Sequence, residues 1–438
     1  RPEFTLEHGE TFVRSHPTVD HKGLNLSKRI DKQEKEFSLD LETEGSVLGY
    51  DSNQLASNNP IEDFRAEAKC MLFGVFDGHG GALCAQVLSK RLFEYISASL
   101  LPPDLLLKYL RSPGENQLLK TFNDSIDFVQ DLKLLYAQHF KEYLDELSVK
   151  SLLSLDADLS REAQLMDDEN VNMKTLSVGL SGAVSCVAHI DGPHLHVASV
   201  GDCQAILGVR NDDNIWTAKK LSVDHNSDNA QEVQRVLSEH PQTEHNSVIR
   251  RERLLGQLAP LRAFGDFRYK WDKKVLEDLV VPILGEQAVP HGYFTPPYLT
   301  ARPDITHHVL TPRDKFLVIA TDGLWDEISP LQVVRLVGEH MSGKVILNPL
   351  QLPRKSMTLN EINDLLLQRQ EGLKMKPIDS NAATHLIRNA LGGSEYGIEH
   401  SKIAHILSLP QEVVRLFRDD ITVTVVYFNT DYLRHTHH

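Results

Sequence analysis

Cysteine is scarce in this chain of 438 residues. Cys70, Cys84, Cys186 and Cys203 form no Cys-x-x-Cys pair, and no histidine cluster stands at zinc-finger spacing. That pattern speaks against a disulfide framework and a thiolate zinc site and favours buried free thiols in a reducing compartment. Long apolar runs are missing as well; none approaches the roughly 18 residues that a membrane-spanning helix needs. Bases are outnumbered, 46 against 61 acids, for a net charge of −15. Such a chain does not rely on general attraction to nucleic acid or anionic lipid, although a local basic docking patch stays compatible with it. Three catalytic signatures are also lacking: the Gly-x-x-x-x-Gly-Lys-Ser/Thr loop, the Gly-x-Ser-x-Gly elbow and the Cys-x5-Arg cradle. Chemistry of those three kinds is set aside with them.

What is present is 41% hydrophobic and 24% charged, the balance of a globular chain long enough for one large domain or two ordinary ones. Residues 1–45 show little periodicity and few aromatics, and read as an N-terminal extension that wraps the domain or is partly disordered. Their evenly mixed charges are unlike a transit peptide. Because the chain opens at Arg1, a targeting leader is expected to have been removed or never included. Residues 430–438 read as a C-terminal tail.

Between them, periodicity alternates between strand and helix. An apolar strand from Leu72 stops at Asp77, and Gly78-His79-Gly80-Gly81 leads into a helix over Ala82–Leu100. A second long helix is predicted over Phe122–Leu147. Asp156–Ser160 lacks the glycine that a calcium loop needs and reads as a helix N-cap region. From residue 178 the period becomes two, predicting an antiparallel meander of Leu180–Ile190, His194–Val200, Gln204–Val209 and Ile215–Leu221. A short helix over Asp228–Glu239 follows. A buried strand over Lys315–Thr321 ends in Asp322-Gly323, and helices are predicted over Pro330–His340, Asn381–Leu391 and Lys402–Leu416. The last core strand is Ile421–Phe428, with Asp419 and Asp420 just before it. Insertions interrupt the pattern near 101–120, 270–300 and 342–380.

Carboxylates recur where strands end. Asp77 and Asp322 follow apolar strands, Asp420 opens one, Asp202 sits on a strand-to-strand turn, and Glu62 and Asp63 lie in a turn before the first strong strand. A sheet that gathers such ends makes one acidic rim, which repels itself unless cations neutralise it. Oxygen ligands without thiolates or paired imidazoles suit Mg²⁺ or Mn²⁺. Two such ions can lower the pKa of a bridging water and clamp an in-line displacement at phosphorus. His79, two residues beyond Asp77, is placed to protonate a leaving oxygen.

Six motifs carry a family resemblance. Glu62-Asp63, Phe76-Asp77-Gly78-His79-Gly80-Gly81, Ser199-Val200-Gly201-Asp202, Leu261-Arg262-Ala263-Phe264-Gly265-Asp266, Ala320-Thr321-Asp322-Gly323-Leu324-Trp325-Asp326 and Arg418-Asp419-Asp420-Ile421-Thr422 stand in order. The chain thereby resembles the metal-dependent serine/threonine phosphatases of the 2C type, from about residue 46 to 429. The resemblance implies an α+β fold: two antiparallel β-sheets packed as a central sandwich, flanked by α-helices on both sides. It implies that Asp77 bridges two metals, with the Gly78 carbonyl on one of them. Asp322 and Asp420 would ligate the first metal and Glu62 the second. Asp63 would support the site or bind through water, Asp202 would attend a weaker third ion, and Asp266 would be structural. His79 and Asp77 carry the catalytic roles. Many members grip phosphate with an Arg four residues before the Glu of the Glu-Asp pair. Here that position is Asn58, which leaves Asn58 as the candidate phosphate contact.

Four further stretches resemble one branch of the family, which serves the pyruvate dehydrogenase complex. They are Tyr50–Leu55, Pro60–Asp63, Tyr293–Ala301 and Asn381–Arg388. That branch implies attack of a metal-bridging hydroxide on phosphoserines of the pyruvate dehydrogenase component, in the mitochondrial matrix. It further implies docking to the lipoyl domain of the dihydrolipoyl acetyltransferase core, Ca²⁺ at the docking interface in one isoform, and a possible regulatory subunit. The rival expectations are a 2C-type phosphatase for another phosphoprotein and an inactive adaptor of the same fold; the matching carboxylates are all present, which speaks against the adaptor.

Overall fold

Side chains that alternate along each strand divide this chain's apolar residues between two cores. The computed structural model describes residues 7–8, 35–38, 45–68, 71–100, 143–167, 170–354 and 356–435. Among the described residues, one sheet has seven strands. It runs Glu7–His8, Phe64–Ala68, Leu72–His79, Gly182–Asp191, His194–Val200, Asp304–Val309, with Phe264–Gly265 also on Gly182–Asp191. The other has six, in the order Trp216–Lys220, Gln204–Arg210, Asp314–Ala320, Ile421–Phe428, Val47–Leu55, Lys35–Ser38. Pairing within both is antiparallel.

Neighbouring residues of the second sheet show the alternation directly. Leu207, Leu317, Ile319 and Val426 face the first sheet and join its core. Ile206, Val318, Val423 and Val425 face outward and pack on the helices Pro330–His340 and Ala382–Gly392. Such opposition follows from the two-residue period of a strand. Each aliphatic or aromatic side chain fully buried this way is worth about 1.5–3 kcal/mol. On the far side, Leu83–Leu100 and Tyr143–Ala163 bury Leu88, Leu92, Leu152 and Leu155 in the first core. The result is the helix-flanked antiparallel sandwich that the resemblance implies.

Two of the branch motifs explain each other. Asp51 Oδ2 accepts from Ala382 N at 2.8 Å and from the Tyr427 hydroxyl at 2.7 Å. Asn53 Nδ2 donates to Thr384 Oγ1 at 2.8 Å, and Asn381 caps the same helix through Thr384 N at 2.9 Å. The strand Val47–Leu55 and the helix Ala382–Gly392 are thus locked together by polar groups buried between them. In the third stretch, the Tyr298 hydroxyl donates to Glu244 Oε2 at 2.7 Å and the Tyr293 hydroxyl to Trp271 O at 2.6 Å.

Several local expectations change. Residues 182–221 are not one meander. Gly182–Asp191 and His194–Val200 pair in the first sheet, whereas Gln204–Arg210 and Trp216–Lys220 pair in the second. The Gly201-Asp202 turn is therefore a crossing between sheets, which a two-residue period cannot reveal. Met173–Leu180 is helical. Asp156–Ser160 lies within the helix Tyr143–Ala163 rather than at a cap, because Asp156 and Asp158 find partners elsewhere in Lys270 and Tyr95. Residues 402–416 form two helices, His400–Ser408 and Gln411–Val414, interrupted at Pro410, whose ring cannot continue a helix. The insertion at 342–380 contains the helix Leu359–Lys374, started by a Thr358–Glu361 capping box. The strand Leu72–His79 runs two residues past Asp77, paired as far as Gly182. The predicted helix over Phe122–Leu147 lies outside the described residues as far as 142, as does the insertion at 101–120. Cys84, Cys186 and Cys203 are buried free thiols, and burial pushes all three up. Among the described residues no helix is long and apolar enough to cross a membrane.

Candidate metal centre

Strand register gathers the acids. In the second sheet Gln204 pairs with Ala320, Ala320 with Val423, and Ile421 with Leu55. Asp202, Asp322, Asp420 and the 56–63 link therefore share one end of that sheet. In the first sheet Phe64 pairs with Phe76, Asp77 with Val184, and Val200 with Ser185. Asp63, Asp77 and Asp202 share that end too. The links 56–63 and 201–203 pass from one sheet to the other, so both sheets contribute to a single rim.

The rim is electrostatically overloaded. Burial, then Asp63, Asp322 and Asp202, push Asp77 well above the usual carboxylate range. Burial, then Asp202, Asp419 and Asp326, raise Asp322 to about 7, while a hydrogen bond to Asp77 opposes them. Burial and Asp420 raise Asp63, whose carboxylate accepts from Thr321 Oγ1 at 2.8 Å. Burial also raises Glu62, Asp202 and Asp326. Carboxyls held up by one another call for a cation, and an all-oxygen donor set fits Mg²⁺ or Mn²⁺. Among the described residues no three acid or imidazole side chains already stand as a metal cage. Mg²⁺ keeps several of its waters, so a site with few protein ligands suits it.

The acids do not all face the same way. Asp420 turns inward. Its carboxylate accepts from Ser57 N, from Asn58 N at 2.8 Å, from Asn58 Nδ2 at 3.0 Å and from Glu62 N at 2.8 Å. It organises the 57–63 loop, and its oxygens are taken, contrary to the ligand role expected of it. The neighbouring Asp419 is partly exposed and acts electrostatically on Asp77, Asp322, Glu62 and Asp326. Asn58 spends its amide on Asp420, contrary to its expected role toward phosphate. Gly78 N donates to Glu62 O at 3.1 Å, and a Cβ on Gly78 would come within 2.4 Å of that oxygen. Only glycine lets the two segments approach this closely.

His79 has a partner. Its Nε2 is 2.5 Å from Asp266 Oδ2. Burial lowers the His79 pKa, but Asp266 outweighs it and holds the imidazole above its ordinary value. Asp266 takes a left-handed backbone, φ 50°, and its N–H donates to Ser181 O at 3.0 Å. The preceding Gly265 N–H donates to Asp156 Oδ1 at 2.9 Å. A second pair steadies the Asp202 turn: Gly201 N donates to His225 Nδ1 at 3.0 Å, and His225 Nε2 lies 2.8 Å from Asp304 Oδ2.

Comparison with known proteins bears on this rim. The protein phosphatase 2C family model matches residues 127–366. The chain belongs to the protein phosphatase 2C family. It is 44% identical over 422 residues to mitochondrial [pyruvate dehydrogenase [acetyl-transferring]]-phosphatase 1 of Bos taurus, covering 88% of this chain and 78% of that protein. To phosphatase 2 of that name from Homo sapiens it is 42% identical over 430 residues, covering 90% and 80%. To phosphatase 1 of Saccharomyces cerevisiae it is 31% identical over 447 residues, covering 92% and 72%.

As a 2C-type phosphatase the protein is a phosphoprotein hydrolase of a family that depends on Mg²⁺ or Mn²⁺. Two relationships in its site depend on the tertiary structure. Asp419, beside the inward-turned Asp420, acts on the other acids of the rim, and the structural role expected of Asp266 includes its hold on His79. A third, Arg415, went unnoticed: its guanidinium lies 3.3 Å from Glu62 Oε2 and 3.8 Å from Asp419 Oδ2. The sequence offered one signal for it, a base four residues before an acid that adjoins the rim.

Proposed function

We propose that this phosphatase removes phosphate from serines of the pyruvate dehydrogenase component of the mitochondrial pyruvate dehydrogenase complex. The observation that carries the reading is the rim of mutually raised carboxyls beside the His79–Asp266 pair, in a chain 42–44% identical to two pyruvate dehydrogenase phosphatases. Asp77, Asp322, Glu62 and the Gly78 carbonyl would hold two divalent ions, with Asp419 in place of Asp420. Asp202 and Asp326 would attend a weaker third. Bound there, the metals supply an activated water and neutralise the phosphate.

The chain's own residues do the rest. Asp63 and its threonines fix the 57–63 loop that carries Glu62. Asp420 ties the same loop to the last strand. His79 delivers a proton to the departing serine oxygen; with Nε2 held by Asp266, Nδ1 is the nitrogen that carries it. Asp266 keeps that imidazole protonated and aimed.

Location in the mitochondrial matrix and docking to the lipoyl domain of the acyltransferase core follow from the same reading, as do Ca²⁺ at the docking interface and a regulatory subunit. The exposed Leu366, Leu367 and Leu373 of the helix Leu359–Lys374 support the 342–380 insertion as a docking surface. The test is phosphate release from phosphorylated pyruvate dehydrogenase and from unrelated phosphoproteins, with and without Mg²⁺, the acyltransferase core and Ca²⁺. Preference for the dehydrogenase, enhanced by the core, is expected. Equal rates on all substrates would leave only the family activity.

A further inference from the structure

We propose that Arg415 is the residue that grips the substrate's phosphate. The inference rests on the phosphatase reading of this rim and names a binding residue within it. A dianionic phosphate brought to a ring of acids benefits from a cation able to turn toward it. Asn58 is held on Asp420 by a side-chain amide N–H and its main-chain N–H, at 3.0 and 2.8 Å, so it has at most one neutral donor left and no charge to offer. Arg418 cannot turn either. It is buried, with its guanidinium on Ala56 O at 2.5 Å and Asp419 O at 3.2 Å.

Arg415 differs from both. Its side chain is 54% exposed, on the segment between the helix Gln411–Val414 and the strand Ile421–Phe428. Its contacts with Glu62 and Asp419, 3.3 and 3.8 Å, exceed the roughly 2.7–2.9 Å of a strong charge-assisted bond. The guanidinium is therefore a loosely held counter-ion to two acids that face the metal position. Once those acids turn to a metal, the guanidinium loses its partners and stays at the mouth of the site. Its planar fork of donors matches the oxygens of a phosphate.

Arg415→Ala and Arg415→Lys test this, each at saturating Mg²⁺. Calorimetric titration with inorganic phosphate reads binding directly, and KM and kcat for an aryl phosphate and a phosphoserine peptide read the reaction. Phosphate affinity is expected to fall roughly 10- to 100-fold in Arg415→Ala, the range for a hydrogen bond to a charged group. KM should rise with it, kcat should change less, and Arg415→Lys should recover part of the loss because it restores charge without the fork. Unchanged phosphate affinity, with tighter Mg²⁺ binding in Arg415→Ala, would overturn the proposal and make Arg415 a counter-ion to Glu62 alone. Failure of the phosphatase reading would look different: the unsubstituted protein would then show no Mg²⁺-dependent hydrolysis at all.

Discussion

His79 and Asp266, 187 residues apart in the chain, meet over Gly182 with 2.5 Å between Nε2 and Oδ2. The contact sets the charge of the histidine. A raised His79 pKa keeps the acid form present at neutral pH, and activity that needs this form falls as pH rises through it. Asp266→Asn should therefore move the alkaline fall of kcat on phosphoserine to lower pH. His79→Gln should cost roughly 10²–10⁴-fold on phosphoserine and much less on an activated aryl phosphate, whose leaving group needs no proton. Equal losses on both substrates would assign His79 a structural role.

Gly182 is a separate handle on the same pair. A Cβ there would fall 2.1 Å from Asp266 Oδ2 and 2.2 Å from His79 Nε2, so Gly182→Ala must push them apart. Without replacing either residue, it should reproduce the substrate-selective loss of His79→Gln. Kinetics on the two substrates check this, and an unaltered ratio of the two rates would count against the pair.

The acidic rim predicts a pH-dependent response to metal. Asp322 has an ordinary value of 3.8 and stands at about 7 when folded. A raised folded value means that its contribution to stability is fully present below 3.8 and is lost as pH rises through about 7. Metal-free protein should thus lose stability from pH 5 to pH 8, and Mg²⁺ should raise Tm more at pH 8 than at pH 6. Asp322→Asn should abolish turnover and flatten that pH dependence while the protein stays folded. Full activity in the presence of a chelator would refute the metal mechanism.

Away from the site, the Asp379–Arg388 pair holds the start of the helix Ala382–Gly392. Both side chains are 2% exposed, with Arg388 Nε 2.9 Å and the terminal nitrogen 2.7 Å from Asp379 Oδ1. Asp379→Ala takes the carboxylate away from a buried guanidinium and should cost about 3–5 kcal/mol in urea unfolding. Asp379→Leu with Arg388→Met should recover most of the loss, because the apolar pair no longer needs a partner.

Local pattern alone placed much of this chain. The helix Pro330–His340 and the strands His194–Val200 and Ile421–Phe428 have the bounds that hydrophobic period predicts, because each buries a full apolar face. It also put acids at strand ends, since Asp-Gly after a strand is a local signal. Tertiary structure decided which of those acids raise one another at the rim and which turns inward. Asp419 and Asp420 are adjacent just before the strand Ile421–Phe428, and it is the distant 57–63 loop, whose N–H groups Asp420 accepts, that distinguishes them. The same limit hid the sheet crossing at Asp202, the hold of Asp266 on His79 and the reach of Arg415 to Glu62. Each depends on partners distant in the chain, and side-chain periodicity carries no information about which distant strand or loop will be the neighbour.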